Sequence, residues 1–229
     1  MASLHPLTQI TWEATKIFAE MGFRVAEGPE LETEFNNFDA LNVPAGHPAR
    51  AMQDTFWLKP REKGELLRTH MTAVSLRELV KKQLPLRVVS PGRVFRNEAT
   101  DSTHEAQFYQ FDALAIDRPG VITMADLKGT LETFYKKLFG PQVELRLRAS
   151  YFPFVEPGVE VDIKWGDRWL EVCGAGMLHP NVFKAAGVDP AEWQGFAFGS
   201  TIDRLAMIKY GIEDIRHFYA GDLRFLKQF

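Results

Sequence analysis

Residues 93–113 read RVFRNEATDSTHEAQFYQFDA, and they crowd an arginine, a glutamate, a histidine, a glutamine and an aspartate around two apolar-alternating runs. Side chains two apart in a strand share a face. Arg96 and Glu98 therefore share a face of the outgoing strand, and Phe108, Gln110 and Asp112 share a face of the return strand. If those faces coincide, one surface offers a guanidinium, two carboxylates, an amide and a flat ring. The connecting loop adds Asp101, His104 and Glu105. A guanidinium fork suits phosphate oxygens, an aromatic ring suits a base, and carboxylates with an amide suit an ammonium group. A solvated hairpin with cross-strand ion pairs would look similar on its own. Residues 195–216, GFAFGSTIDRLAMIKYGIEDIR, weigh against that plainer reading. There a glycine-flanked apolar strand runs directly into a helix that carries Arg204, with Ile202, Leu205, Ala206 and Ile208 on its apolar side.

The elements that must hold these groups are legible in outline. Leu7, Ile10, Ala14, Ile17, Phe18 and Met21 recur at helical spacing over 5–22, and Gly22 is a plausible stop. A short strand is expected at 23–27, a helix over 30–42, a strand at 55–58 and a turn at 60–65. The segment 69–83 predicts a helix with Thr69 as its cap and Pro85 beyond its end. Strands are expected at 86–98 and 107–117, then a helix at 124–138 with Met124, Leu127, Leu131, Phe134 and Leu138 on one stripe. Further strands are expected at 142–149, 158–164 and 168–174, the last two joined at KWGD. A strand at 196–200, a helix over 202–210 and a short terminal helix close the chain. Hairpin-linked strands with helices at the start, middle and end indicate an α+β fold around an antiparallel sheet.

The 229 residues suit one large domain or two small ones, and without repeats or linkers one domain over 1–229 is the simplest reading. The single cysteine, Cys173, excludes an internal disulfide and a Cys-x-x-Cys zinc site, which fits a cytoplasmic protein. No apolar run approaches the length of a membrane span, and no signal peptide is visible. A net charge of −3 argues against a chain that coats nucleic acid, while leaving local basic contacts with RNA open. There is no Gly-x-x-x-x-Gly-Lys phosphate loop and no Gly-x-Ser-x-Gly elbow.

Residues 93–112 resemble motif 2 of the class II aminoacyl-tRNA synthetases, and residues 195–208 resemble their motif 3. HPLTQ (5–9), FDALNVPAGHPAR (38–50), QDTFWL (53–58), LLRTH (66–70), SYFPFVEPGVEVDI (150–163), WLEVCGAGMLHPNV (169–182) and DLRFLKQF (222–229) narrow the resemblance to the catalytic domain of phenylalanyl-tRNA synthetase α subunits, nearly end to end. The resemblance implies the class II catalytic fold, an antiparallel sheet flanked by helices. It implies ATP-dependent activation of phenylalanine to an adenylate and transfer to the 3′ end of tRNA(Phe), without a covalent enzyme intermediate. Arg96 then holds the ATP α-phosphate and the amino-acid carboxylate. Arg204 meets the γ-phosphate and covers the adenine, with Phe108 on the base's other side. His104 reaches the terminal phosphates, and Glu98 orients the adenine end or the amino group. Glu171 is the implied Mg²⁺ ligand. Gln110 and Asp112 receive the ammonium group, with His70 and Thr72 nearby. Phe152 and Phe154 meet the substrate ring edge to face, and Val155 and Ala197 line the same pocket. Trp57 is either a pocket wall or a core residue.

The chain departs from the family pattern at several of these places. Asp112 stands for a glutamate, Ser75 for a glutamine, Met71-Thr72 for Thr-Ser, Asp203 for a glutamate and Thr201 for a glycine. A β-branched Thr201 is expected to crowd the nucleotide or to demand a different backbone angle. The sequence shows neither the family's N-terminal helical tRNA-binding arm nor an anticodon-binding domain. A homodimer, or an α/β heterotetramer with a β subunit, is the implied assembly, with residues 5–40 as a partner surface. Two other readings stay open: a paralogue that activates another amino acid or loads another acceptor, and a binding or assembly module that kept the fold without turnover.

Overall fold

The computed structural model describes residues 4–47 and 55–229, so the parts of FDALNVPAGHPAR and QDTFWL that fall within 48–54 lie outside the described residues. The first helix, Pro6–Glu20, begins where His5 accepts the Leu7 amide, and a proline fills the first turn, where no donor is needed. Its buried stripe is Leu7, Ile10, Ala14, Ile17 and Phe18. The chain leaves it through Gly22 at φ 82° and enters β1 (Arg24–Val25).

Residues 30–42 do not form the single helix expected from their sequence. An extended segment, β2 (Leu31–Thr33), comes first, followed by a helix at Glu34–Asn37 and a 3-10 turn at Asp39–Leu41. Tertiary contacts decide this. Glu32 is 1% exposed and is gripped by two nitrogens of Arg77, and Thr33 caps the following helix by accepting the Asn36 amide. β3 (Glu65–Leu67) pairs antiparallel with β2. The helix expected over 69–83 runs only from Thr72 to Val80. Thr69 is not its cap, because its amide and hydroxyl are both taken by the buried Asn37 carboxamide.

The remaining strands are β4 (Leu86–Phe95), β5 (Gln107–Asp117), β6 (Leu145–Phe152), β7 (Val155–Trp165), β8 (Arg168–Leu178) and β9 (Gln194–Thr201). Between them lie a helix at Met124–Phe139, opened by a Thr123–Asp126 capping box, and a helix at Pro180–Ala185 that the sequence reading did not anticipate. The helix Ile202–Tyr210 follows β9 directly, and short turns at Ile215–Phe218 and Leu223–Leu226 end the chain.

Among the described residues, seven strands form one sheet in the order β1-β4-β5-β9-β8-β7-β6. Every neighbouring pair is antiparallel except β1 with β4, so the α+β architecture stands with one parallel edge strand added. One face of the sheet packs against Pro6–Glu20, Met124–Phe139 and Ile202–Tyr210 around Phe18, Phe111, Phe134 and Phe198. The rings of Phe18 and Phe134 stack at 4.6 Å, and Phe111 meets Phe18 edge-on at 5.1 Å, an aromatic core that anchors the middle strands. The alternate residues of β5 face the other way. Leu114 and Ile116 join Leu76, Leu79 and Phe183 in a second apolar cluster, and at its open end the sheet presents Asp112 and Gln110.

Candidate active site

β4 stops at Phe95, one residue short of Arg96, so Arg96 and Glu98 stand beyond the ladder rather than on it. The Arg96 amide still bonds the Ala106 carbonyl at 3.0 Å, which keeps the turn closed and sends the side chain across the return strand. Its Nε donates to the Thr69 carbonyl at 3.3 Å, and its guanidinium lies 5.1 Å from the centre of the Phe108 ring. Burial lowers its pKa and the charge of Glu98 opposes that shift; an arginine keeps its charge under such conditions. Two cavities open on either side. Arg96 is the one residue, among those described, that lines both.

The larger cavity, about 410 Å³, is lined by Arg96, Glu98, His104, Phe108, Glu171, Thr201 and Arg204, among others. All the groups read from the sequence as nucleotide contacts are thus brought together. His104 is exposed and its Nδ1 lies 3.0 Å from Asp101, whose carboxylate also accepts the amides of Thr103 and His104. Those contacts, led by the Thr103 amide, hold the Asp101 carboxyl well below the usual range. Arg204 is placed by its neighbour. Asp203 is fully buried and accepts the Tyr109 amide at 2.7 Å and the Tyr219 hydroxyl, which ties the Ile202–Tyr210 helix to β5 and to the C-terminal segment. Burial pushes the Asp203 carboxyl up to about 6. Thr201 adopts φ −81° and ψ 117°, an ordinary extended conformation, so the threonine demands no special backbone angle. Its hydroxyl accepts from Gln110 at 3.5 Å.

Glu171 reaches this cavity because β8 is irregular. Asp162 pairs with Glu171 while Val161 pairs with Cys173, which leaves Val172 as an extra residue. A bulge re-aims the side chains beyond it: Val172 and Cys173 enter the core, and Glu171 lines the cavity. Burial and the charge of Glu160 raise its carboxyl pKa, and Arg148 stands 3.7 Å away. Among the described residues no group of three or more His, Cys, Asp or Glu is arranged to hold a metal. Glu160 is itself paired with Arg148 at 2.7 Å, so Glu171 is the carboxylate left to a Mg²⁺ that takes its other ligands from phosphates and water.

The smaller cavity, about 280 Å³, has a polar end of His70, Thr72, Gln110 and Asp112 and an apolar end that includes Phe38, Val43, Phe152 and Phe154. Asp112 is 4% exposed and lies opposite Ser90 on β4 and Gly199 on β9. Thr72 Oγ1 donates to it at 3.1 Å, and the Ser75 hydroxyl donates to its other oxygen. Burial pushes its carboxyl up to about 7 against those hydroxyls. Burial, with the charge of Arg96, pushes the His70 imidazole down to about 4, so it is neutral. His70 Nε2 faces the Asn37 carbonyl at 3.0 Å, a contact that requires the proton on Nε2. Nδ1 is then a buried acceptor with no partner.

Phe152 and Phe154 do not share a strand face as their spacing predicts. Phe152 ends β6 and Phe154 lies in the connection to β7, where the chain turns, and the two rings stack on each other at 6.0 Å. Val155 and Ala197 are not among the cavity's lining residues; they are buried in the apolar cluster on which Phe152 and Phe154 rest. Trp57 packs on Phe38 at 6.4 Å, behind the wall rather than in it. Sequence reasoning missed Asn37, Tyr151 and Gly174 as lining residues, and Ser75 as a partner of Asp112. Only Ser75 had left a signal, as a departure from the family pattern.

This constellation, on a seven-stranded sheet with Arg96 and Arg204 both lining the larger cavity, agrees with a family assignment. The model described as tRNA synthetases class II core domain (F) matches residues 1–229, and the chain belongs to that family. It is 51% identical to the phenylalanine--tRNA ligase alpha subunit of Jannaschia sp., over 100% of this chain and 68% of that protein. It is 52% identical to the protein of the same name from Nostoc punctiforme, over 99% of this chain and 67% of that one. The chain thus spans about two thirds of the length of these curated relatives. In fold it is similar to the crystal structure of pyrrolysyl-tRNA synthetase from Desulfitobacterium hafniense, with a TM-score of 0.73 at 19% identity over 96% of this chain and 75% of that one.

Proposed function

We propose that this chain is the catalytic part of the α subunit of a phenylalanine–tRNA ligase, activating phenylalanine with ATP and passing it to the 3′ end of tRNA(Phe). The observation that carries the reading is Arg96, which lines both cavities. One guanidinium there can hold a carboxylate in the smaller cavity and an α-phosphate in the larger, which sets the attacking oxygen and the phosphorus in line. The carboxylate oxygen forms the new bond to the α-phosphorus, and the bond to pyrophosphate breaks. No proton need move, so the site's task is orientation and neutralisation of charge. Arg204 and His104 serve the departing phosphates, Phe108 and Glu98 the adenosine end, and Glu171 would hold a Mg²⁺ that screens the phosphate charge. His70 Nδ1, Gln110 and Asp112 offer acceptors to the ammonium group, while Phe152 and Phe154 offer an apolar wall to an aromatic side chain.

The relatives' designation as alpha subunits supports a β-subunit partner in an α/β heterotetramer rather than a homodimer. No helix among the described residues is long and apolar enough to cross a membrane; we place the protein in the cytoplasm and read residues 1–229 as one catalytic domain. The shortened Asp112 and Ser75 keep a second reading in view, a paralogue that activates another amino acid. Amino-acid-dependent ATP–pyrophosphate exchange across all twenty amino acids tests both. Phenylalanine is the expected substrate, and Arg96→Ala should lower exchange by at least about 10³-fold, as loss of a charge-stabilising group does. Exchange with a different amino acid, or an unimpaired Arg96→Ala protein, would overturn the proposal.

A further inference from the structure

Serine at 75 and aspartate at 112 are both shorter than the residues of the family pattern that the sequence resembles, and in the structure these two residues touch. The geometry points to Ser75 as a positioning residue for amino-acid binding: its hydroxyl holds the Asp112 carboxylate at the floor of the smaller cavity so that the free lone pairs face the substrate's ammonium group. The inference rests on the smaller cavity being the amino-acid site. Ser75 is 2% exposed and lines neither of the two cavities, so it reaches them through Asp112. Its hydroxyl takes Oδ1 of Asp112 and Thr72 takes Oδ2 at 3.1 Å, which uses two of roughly four acceptor positions. Gly199 lines the cavity and leaves the Oδ2 side open, since a Cβ there would lie only 3.3 Å from that oxygen.

Among the described residues no cation is paired with Asp112. On the Thr72–Val80 helix that carries Ser75, Arg77 is spent on Glu32, and Glu78 is paired with Arg24 and Lys81. The facing strand positions are Ser90 and Gly199, and the titratable groups across the cavity are His70, Tyr151 and Arg96. His70 is neutral and Arg96 is held toward the Thr69 carbonyl. The two hydroxyls are therefore what favours the ionised carboxylate against burial and aims it until a substrate ammonium arrives. Without the Ser75 donor, protonation of Asp112 sets in at higher pH and the side chain is free to turn away.

The test is steady-state exchange with the assembled enzyme carrying Ser75→Ala, Asp112→Asn or both, with melting temperatures confirming folding. Ser75→Ala should raise the amino-acid KM by about 10- to 50-fold, the range for a lost hydrogen bond to a charged group. KM for ATP and kcat should stay within a few fold. The pH below which the amino-acid KM climbs should move upward. In the Asp112→Asn background Ser75→Ala should change nothing further, because the residue has no other route to the substrate. Equal rises in both KM values, an unmoved pH profile or independent effects in the double variant would each overturn the inference. If the wild type proves to activate another amino acid, the functional proposal fails, and the KM of that amino acid still decides the role of Ser75.

Discussion

Asp112→Asn should make the protein more stable at alkaline pH while damaging its amino-acid pocket. The buried Asp112 carboxyl is pushed from an ordinary 3.8 up to about 7. In the unfolded chain it ionises near its ordinary value, whereas the folded protein keeps its proton up to about neutrality. The stability this group contributes is complete below the unfolded pKa and is lost as pH rises through the folded one. Each pH unit in that window costs about 1.4 kcal/mol, which sets a ceiling of about 4 kcal/mol at pH 8. An asparagine never ionises, so it escapes the cost. It also replaces one acceptor by an amide donor, obliging a hydroxyl of Thr72 or Ser75 to turn, for about 1–2 kcal/mol. The net gain at pH 8 is then about 2 kcal/mol, or about 4–8 °C in Tm for a chain of this size. At pH 5 most of the wild type's cost has not yet been incurred, so the gain should vanish. Thermal unfolding followed by circular dichroism at the two pH values reads this directly. A variant that melts below the wild type at pH 8, or by the same margin at both pH values, would refute the reasoning.

Gly174→Ala would place a Cβ 2.8 Å from the tip of the Phe152 ring, so the ring must swing into the smaller cavity. The expected result is a rise of about tenfold or more in the amino-acid KM, with KM for ATP unchanged in the same exchange assay. Tyr219→Phe removes a donor from the buried Asp203 carboxylate, at a cost of about 1–3 kcal/mol while that group is charged. Because burial already pushes Asp203 up to about 6, the loss should be clear in melting curves at pH 8 and small at pH 5. It should also raise KM for ATP, since Asp203 anchors the helix that presents Arg204.

The sequence by itself determined the elements whose reasons are local. The stripe from Leu7 to Phe18 marks a helix that buries those same residues, and the helix expected over 202–210 matches Ile202–Tyr210. The hairpin residues Arg96, Glu98, His104 and Phe108 were legible as a group, and they do line one cavity with Arg204. Periodicity, caps and turn residues act between near neighbours, so they can be read along the chain. Only the tertiary structure decided the rest. Residues 31–33 are a strand because Glu32 must reach Arg77, a partner 45 positions away. Asn37 became a wall of the site by clamping Thr69 and His70, with nothing in its neighbours to announce it. Glu171 faces the cavity because one extra residue in β8 reverses its side, and a strand's two faces cannot be assigned until its register against a distant partner is known. The pairing of Ser75 with Asp112 is of the same kind: two shortened side chains 37 positions apart became one device when the sheet and the helix over it packed together.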